Sequence, residues 1–241
     1  MTTADTQAAV TPADSRNGEA GRLCVQRMVG RHSWALLINA DWRDVPAADL
    51  AADLVLTDPP YGLGDWGNGW EDGKCGRGRM WAEKPEWDKA PSADDLARLM
   101  MLAKLSVLWG GNYYTLPPQK AWLVWDKCAD MTQAQAELAW SNLPTTVRIY
   151  RKSPLGVWGN GGRNGEYKQH PTQKPVPLMA WCLDVAKMAK GSTICDPYMG
   201  SGTTGVACLR TGRNFIGVEK DAAHYATALE RMRSECEETL L

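Results

Sequence analysis

Asp58-Pro59-Pro60-Tyr61 stands directly after the apolar run Leu54-Val55-Leu56-Thr57, and its residue types are suited to gripping an amino group on a planar ring. The lone pair of such a nitrogen is delocalised into the ring, so it attacks poorly. Holding both of its N–H bonds with acceptors draws the nitrogen toward tetrahedral geometry. An ionised Asp58 is an acceptor-only side chain. The Pro59 carbonyl supplies a second acceptor, and two consecutive prolines fix φ and hold that carbonyl in place. Tyr61 offers a flat face, and stacking on a nucleobase is worth roughly 1–3 kcal/mol. That offsets part of the few kcal/mol needed to draw a base out of a duplex. The same tetrapeptide also reads as a plain β-turn. The Asp-Leu-Val-Leu run ahead of it favours the chemical reading, because open α/β sheets bind ligands at the carboxyl ends of their strands.

A second constellation is Thr193-Ile194-Cys195-Asp196-Pro197-Tyr198-Met199-Gly200-Ser201-Gly202-Thr203-Thr204-Gly205. A strand runs into a Gly-rich turn and then a helix, the geometry for close backbone approach to a cofactor at a helix N-terminus. Residues 196–203 are therefore cofactor candidates. Gly-Lys-Ser/Thr is absent, so this is no phosphate-binding P-loop. Gly200, Gly202 and Gly205 fit the dinucleotide spacing, but an Asp-Pro precedes them. A purely structural turn would look the same taken alone. About 20 residues on, Asn214-Phe215-Ile216-Gly217-Val218-Glu219 ends another strand on an acid, which can chelate both hydroxyls of a ribose. A solvated Glu219 is the plain alternative, and the pairing of the two features argues against it.

These residues need a sheet to hold them. Apolar runs bounded by Gly, Pro or Asp predict strands at 34–39, 54–57, 106–109, 121–125, 146–150, 192–195 and 214–218. Helical periodicity predicts helices at 93–104, 133–140, 177–190, 203–210 and 222–237. Helices interleaved with mostly apolar strands indicate an α/β protein around a largely parallel sheet. Residues 1–21 are expected to form a disordered tail and 22–241 a single domain. Two spans resist the pattern, around 62–90 and 146–170, and read as long functional loops.

Composition narrows the classes. No run of about 18 apolar residues occurs, which excludes a spanning helix, and the N-terminus lacks a signal-peptide core. Seven cysteines contain no CxxC pair and only three histidines are present, so no metal is expected and the thiols read as reduced, in a cytoplasmic protein. The formal charge is −1, so any nucleic-acid surface must be local. Arg148, Arg151, Lys152, Arg163, Lys168 and Lys174 face a single acid, Glu166, over their span, enough for several phosphate contacts. Lys74, Arg77 and Arg79 lie in the other loop among Trp66, Trp70, Trp81 and Trp87. Those tryptophans read either as a base-covering wedge or as a small satellite core.

Taken together, these residues resemble the β-class amino-group DNA methyltransferases, in which the Asp-Pro-Pro-Tyr motif precedes the cofactor turn. The likeness runs from about Trp34 to Glu237. It implies a Rossmann-like fold whose seven-stranded, mostly parallel sheet carries helices on both faces. It also implies permuted motif order, S-adenosyl-L-methionine as cofactor, double-stranded DNA as substrate, and a homodimer. On this resemblance Asp41 meets the cofactor's adenine and Lys220 neighbours the ribose acid. His170, Thr172, Gln173 and Lys174, within His170-Pro171-Thr172-Gln173-Lys174-Pro175, line its methionine end. Trp125-Asp126-Lys127 and Glu137-Leu138-Ala139-Trp140 also read like members of the group. Asp at the first motif position is typical of adenine N6, whereas Ser is commoner for cytosine N4. Protein-directed relatives generally carry Asn there. A silent binding module would be expected to have a damaged motif, and both motifs are intact. No Pro-Cys nucleophile for cytosine-carbon methylation exists. Restriction-system, orphan and phage roles all stay open.

Overall fold

The computed structural model describes residues 24–30, 32–63, 88–128, 134–153 and 173–238. Nine strands among them join one sheet in the order β1-β2-β9-β8-β3-β4-β6-β5-β7. They are β1 (Cys24–Val29), β2 (Trp34–Asn39), β3 (Ala52–Thr57), β4 (Ala103–Trp109), β5 (Ala121–Asp126), β6 (Ala136–Ser141), β7 (Arg148–Arg151), β8 (Thr193–Asp196) and β9 (Asn214–Glu219). The helices are α1 (Ala93–Met101), α2 (Val176–Val185), α3 (Thr203–Arg210) and α4 (Ala222–Glu238).

Leu54, Val55 and Leu56 are all fully buried although successive strand residues point to opposite faces. The sheet is therefore covered on both sides. Leu54 and Leu56 pack with Leu178 and Leu183 of α2, Val206 of α3 and Met232 of α4. Val55 packs on the other face with Leu96 and Leu99 of α1, and with Trp42 and Leu50 from short helical turns. Parallel strands buried on both faces explain why their sequences read as continuous apolar runs.

Strand direction decides what meets at the functional end. The ladders β2–β9, β9–β8, β8–β3, β3–β4 and β5–β7 are parallel. β6 runs antiparallel to both β4 and β5, and β1 runs antiparallel to β2. The carboxyl ends of seven strands therefore share one rim, and there β6 presents its beginning. The N-terminal strand β2 lies beside β9, the permuted arrangement expected of the motif order.

Two expectations are corrected. The sheet has nine strands, not seven, and residues 136–141 form β6, not part of a helix. Ala-Glu-Leu-Ala-Trp has good helix formers, but ladders on both sides satisfy its backbone, and tertiary pairing overrides weak propensity. β1 is the other addition, an edge strand with little burial. The strand expected at 146–150 is β7, so the loop expected around 146–170 starts no earlier than its end. The tail at 1–21 and most of both loops lie outside the described residues. No described helix is long and apolar enough to cross a membrane.

Candidate active site

β3 and β8 are adjacent and parallel, so the corner after Thr57 and the turn after Asp196 open on the same rim. A buried bond ties them: the Thr57 hydroxyl donates to Asp196 Oδ1 at 2.6 Å. The Thr204 hydroxyl donates to Asp196 Oδ2 at 2.7 Å, and the Tyr198 N–H to Oδ1 at 3.1 Å. Burial pushes the Asp196 carboxyl up to about 6 against these donors. With both oxygens engaged inside the fold, Asp196 shapes the turn. Pro197 and Met199 are buried as well and support it from beneath. Arg231 of α4 donates to the Ser201 carbonyl at 2.6 Å, fixing the turn's far side. Thr203 is buried at the start of α3.

Gly200 forms the open part of this turn. Its φ is +51°, and a Cβ built there would meet nothing within 4 Å. Its N–H donates to Glu219 Oε2 at 3.0 Å, while the Asp221 N–H donates to Oε1 at 2.8 Å. Burial raises the Glu219 carboxyl above its ordinary range. The Asn39 amide clasps the carbonyls of Glu219 and Lys220 at 2.7 and 3.4 Å, joining the ends of β2 and β9. The Lys220 side chain is exposed. Asp41 follows β2 on the same rim and is gripped by Arg43, whose Nε lies 2.8 Å from Oδ1. That hydrogen bond holds the Asp41 carboxyl below its usual range.

Asp58 occupies the corner itself. The Tyr61 hydroxyl donates to Oδ1 at 2.7 Å, and Lys174 Nζ donates to Oδ2 at 2.7 Å. Burial pushes the Asp58 carboxyl up, and the Lys174 ammonium opposes it. The Tyr114 hydroxyl donates to the Pro59 carbonyl at 2.8 Å and lies 3.2 Å from that of Pro60. The Tyr61 ring stacks on exposed Tyr113, with centroids 5.0 Å apart and planes at 25°. Lys174 also donates to the Tyr61 hydroxyl at 2.9 Å and pairs with Glu137 at 2.9 Å. Glu137 in turn takes Lys127 at 2.7 Å. Burial works against the Glu137 charge, but the two lysines hold its carboxyl down to about 2.

Asp41, Asp58, Tyr61, Lys174, Gly200 and Glu219 thus share one rim, as the motifs suggest. Lys174 stands at the Asp58 corner. Gln173 precedes it; His170 and Thr172 lie outside the described residues, as do Lys74, Arg77, Arg79, Arg163 and Lys168. Of the remaining basic candidates, Arg151 and Lys152 sit at the rim end of β7, and Arg151 pairs with Asp126 at 3.3 Å. Arg148 begins the same strand, roughly 10 Å away at strand rise. The residues that sequence reasoning passed over are Tyr113 and Tyr114; Lys127 and Glu137 enter it only within segments that read like the group, with no role given to either side chain. A lone acid inside the apolar β6 run was the available signal for Glu137.

Comparison with known proteins finds DNA methyltransferases. Residues 115–230 match the family model described as DNA methylase, N6_N4_Mtase. The chain is 25% identical over 229 residues to Type II methyltransferase M2.DpnII of Streptococcus pneumoniae, covering 77% of this chain and 84% of that protein. Type II methyltransferase M2.LlaDCHI of Lactococcus lactis subsp. cremoris is also 25% identical, over 224 residues, with 75% and 81% covered. Among solved structures, the M1.HpyAVI–SAM complex superposes with a TM-score of 0.52 at 20% identity, over 82% of this chain and 99% of that one. The cytosine-N4-specific PvuII DNA methyltransferase gives 0.50 at 14% identity, over 86% and 92%. These superpositions speak to the fold.

Proposed function

We propose that this chain, a DNA methyltransferase of the N6/N4 family, methylates the N6 amino group of an adenine extruded from double-stranded DNA, with S-adenosyl-L-methionine as donor. The observation that carries this reading is the shared rim, where Asp58 and Gly200 stand at neighbouring strand ends joined by the Thr57–Asp196 bond. The residues present fit the donor: Gly200 leaves open space beside its backbone, and Glu219 closes the next strand as a ribose-binding acid. Asp41, which follows β2 on the same rim, is assigned to the adenine moiety on the family resemblance. When bound, S-adenosyl-L-methionine supplies a methyl group on a positively charged sulfur.

The chain's own residues do the rest. Asp58 and the Pro59 carbonyl accept the two amino protons of the target. A carboxylate has about four acceptor sites and a carbonyl two, so the Tyr61 and Tyr114 hydroxyls already there share the acceptors without barring them. The target base takes the place of Tyr113 against the Tyr61 ring. As the new N–C bond forms at the expense of the donor's S–C bond, whose electron pair stays on sulfur, the surplus N–H bond breaks and its proton passes to Asp58 or water. Alignment and preorganised charge supply most of the acceleration. Adenine is preferred over cytosine because Asp holds the first motif position; both bases present an amino group to the same acceptors.

The test is expression in a host lacking adenine methylation, followed by direct sequencing of its native DNA. N6-methyladenine at one sequence context is the expected result, and N4-methylcytosine would turn the reading to cytosine. Asp58→Ala should lower turnover at least roughly a hundredfold while the fold and cofactor affinity persist. Near-normal turnover in that variant would remove the proposal.

A further inference from the structure

Lys174 has the most constrained ammonium at the rim. Lysine carries three N–H donors, and all three are engaged: Asp58 Oδ2 at 2.7 Å, the Tyr61 hydroxyl at 2.9 Å and Glu137 Oε2 at 2.9 Å. Its side chain is only 4% exposed. Tyr61 returns a hydrogen bond to Asp58 Oδ1, which closes a ring of Asp58, Tyr61 and Lys174. No proton of Lys174 is left for a cofactor carboxylate in this arrangement.

The ring continues outward. Glu137 accepts from Lys174 with one oxygen and from Lys127 with the other. Negative and positive groups therefore alternate from Asp58 through Lys174 and Glu137 to Lys127. This row exists because β6 is reversed: its second residue, Glu137, comes to the rim where its neighbours end. Burying charge is costly unless it is paired, and removing one member strands the next.

We propose that Lys174 and Glu137 are positioning residues for methyl transfer, a role that rests on the function proposed above: Lys174 fixes the orientation and negative charge of Asp58, and Glu137 sets how much of the Lys174 charge Asp58 receives. The groups facing Asp58 are Lys174 and Tyr61 in contact, Glu137 behind Lys174, Tyr114 across Pro59, and Asp196 from β8. Lys127 lies beyond Glu137, and Asp88 accepts from the Gly62 N–H nearby. Among these, Lys174 pulls the Asp58 carboxyl down while burial and Glu137 push it up.

The signs give a test that a merely structural role would not pass. Transfer needs ionised Asp58, so activity rises as pH climbs through its titration. Lys174→Met removes the cation and leaves two carboxyls facing each other. The acid limb of turnover should then move to higher pH, by roughly one to three units. Glu137→Gln turns the Lys174 charge wholly onto Asp58, and the same limb should move to lower pH. The carboxyl carbon of Asp58 in ¹³C-aspartate-labelled protein, assigned with Asp58→Asn, should titrate with the same opposite shifts.

Calorimetry should show S-adenosyl-L-methionine affinity within about threefold of wild type in Lys174→Met, whereas a lysine serving the cofactor would lose affinity tenfold or more. Opposite shifts with retained affinity support the proposal. Unmoved midpoints, or shifts in one direction, overturn it. Should Lys174→Met fail to fold, the Glu137→Gln titration alone decides. A wild-type protein inert on every DNA tested, yet showing the opposite carboxyl shifts, would defeat the methyltransferase reading and leave the Asp58–Lys174–Glu137 coupling standing.

Discussion

Gly110 governs where Tyr61 can lie. It has φ +73°, a region that strains any side chain, and a Cβ there would fall 2.2 Å from the Tyr61 ring. The bare backbone lets the ring lie flat against the end of β4, with its hydroxyl on Asp58 and its other neighbours Tyr113 and Lys174. Gly110→Ala should push the ring away and break that hydrogen bond. Overpacking of this kind costs about 1–3 kcal/mol, and turnover should fall more than tenfold because the stacking platform moves with the acceptor. Thermal melts and single-turnover methyl transfer would check both effects. A variant with wild-type turnover would show that Tyr61 is placed by something other than this close approach.

At the scale of elements, α1 illustrates a start signal that sequence carries locally. The Ser92 hydroxyl accepts from the Asp95 N–H at 3.1 Å, and Asp95 accepts from the Ser92 N–H at 3.2 Å. Ser92→Ala should cost about 1 kcal/mol, lowering Tm by about 2–4 °C without altering turnover, as calorimetry and an assay would report. Ser92 stands directly before the helix expected from 93, and α3 begins and ends where its periodicity placed it. The rim motifs were legible for a related reason. Asp58 and Asp196 each sit at or just past the end of their own strand, so short segments specify both. β6 was not legible, because Ala-Glu-Leu-Ala-Trp has no strand alternation, and only its two partners make it one. The contact between Lys174 and Asp58 spans 116 residues, and nothing in either segment announces the other. The tyrosines at 113 and 114 escaped notice because they follow β4 in a single 3-10 turn, too short to leave a periodicity, that starts from the left-handed Gly110.

The whole molecule must bring a polyanion to this rim while carrying a net charge of only −1. Diffuse attraction is therefore weak, and binding has to come from particular cations near the carboxyl ends of the strands. The same strand polarity that gathers Asp58, Gly200 and Glu219 also sorts the basic residues of β7. Arg151 and Lys152 arrive at the rim, and Arg148 is left at the opposite end of the strand. Each phosphate neutralised releases counterions and steepens the salt dependence of binding by about 0.9 in the log–log slope. Arg151→Ala should therefore flatten that slope by about 0.9, less whatever its exposed pairing with Asp126 already diverts. Lys152→Ala should do the same, and Arg148→Ala should leave the slope unchanged. Titrations of a fluorescent duplex between low and physiological salt would measure all three. An equal loss from Arg148→Ala would place DNA along the flank of the sheet, and the rim would then need another route to the target base.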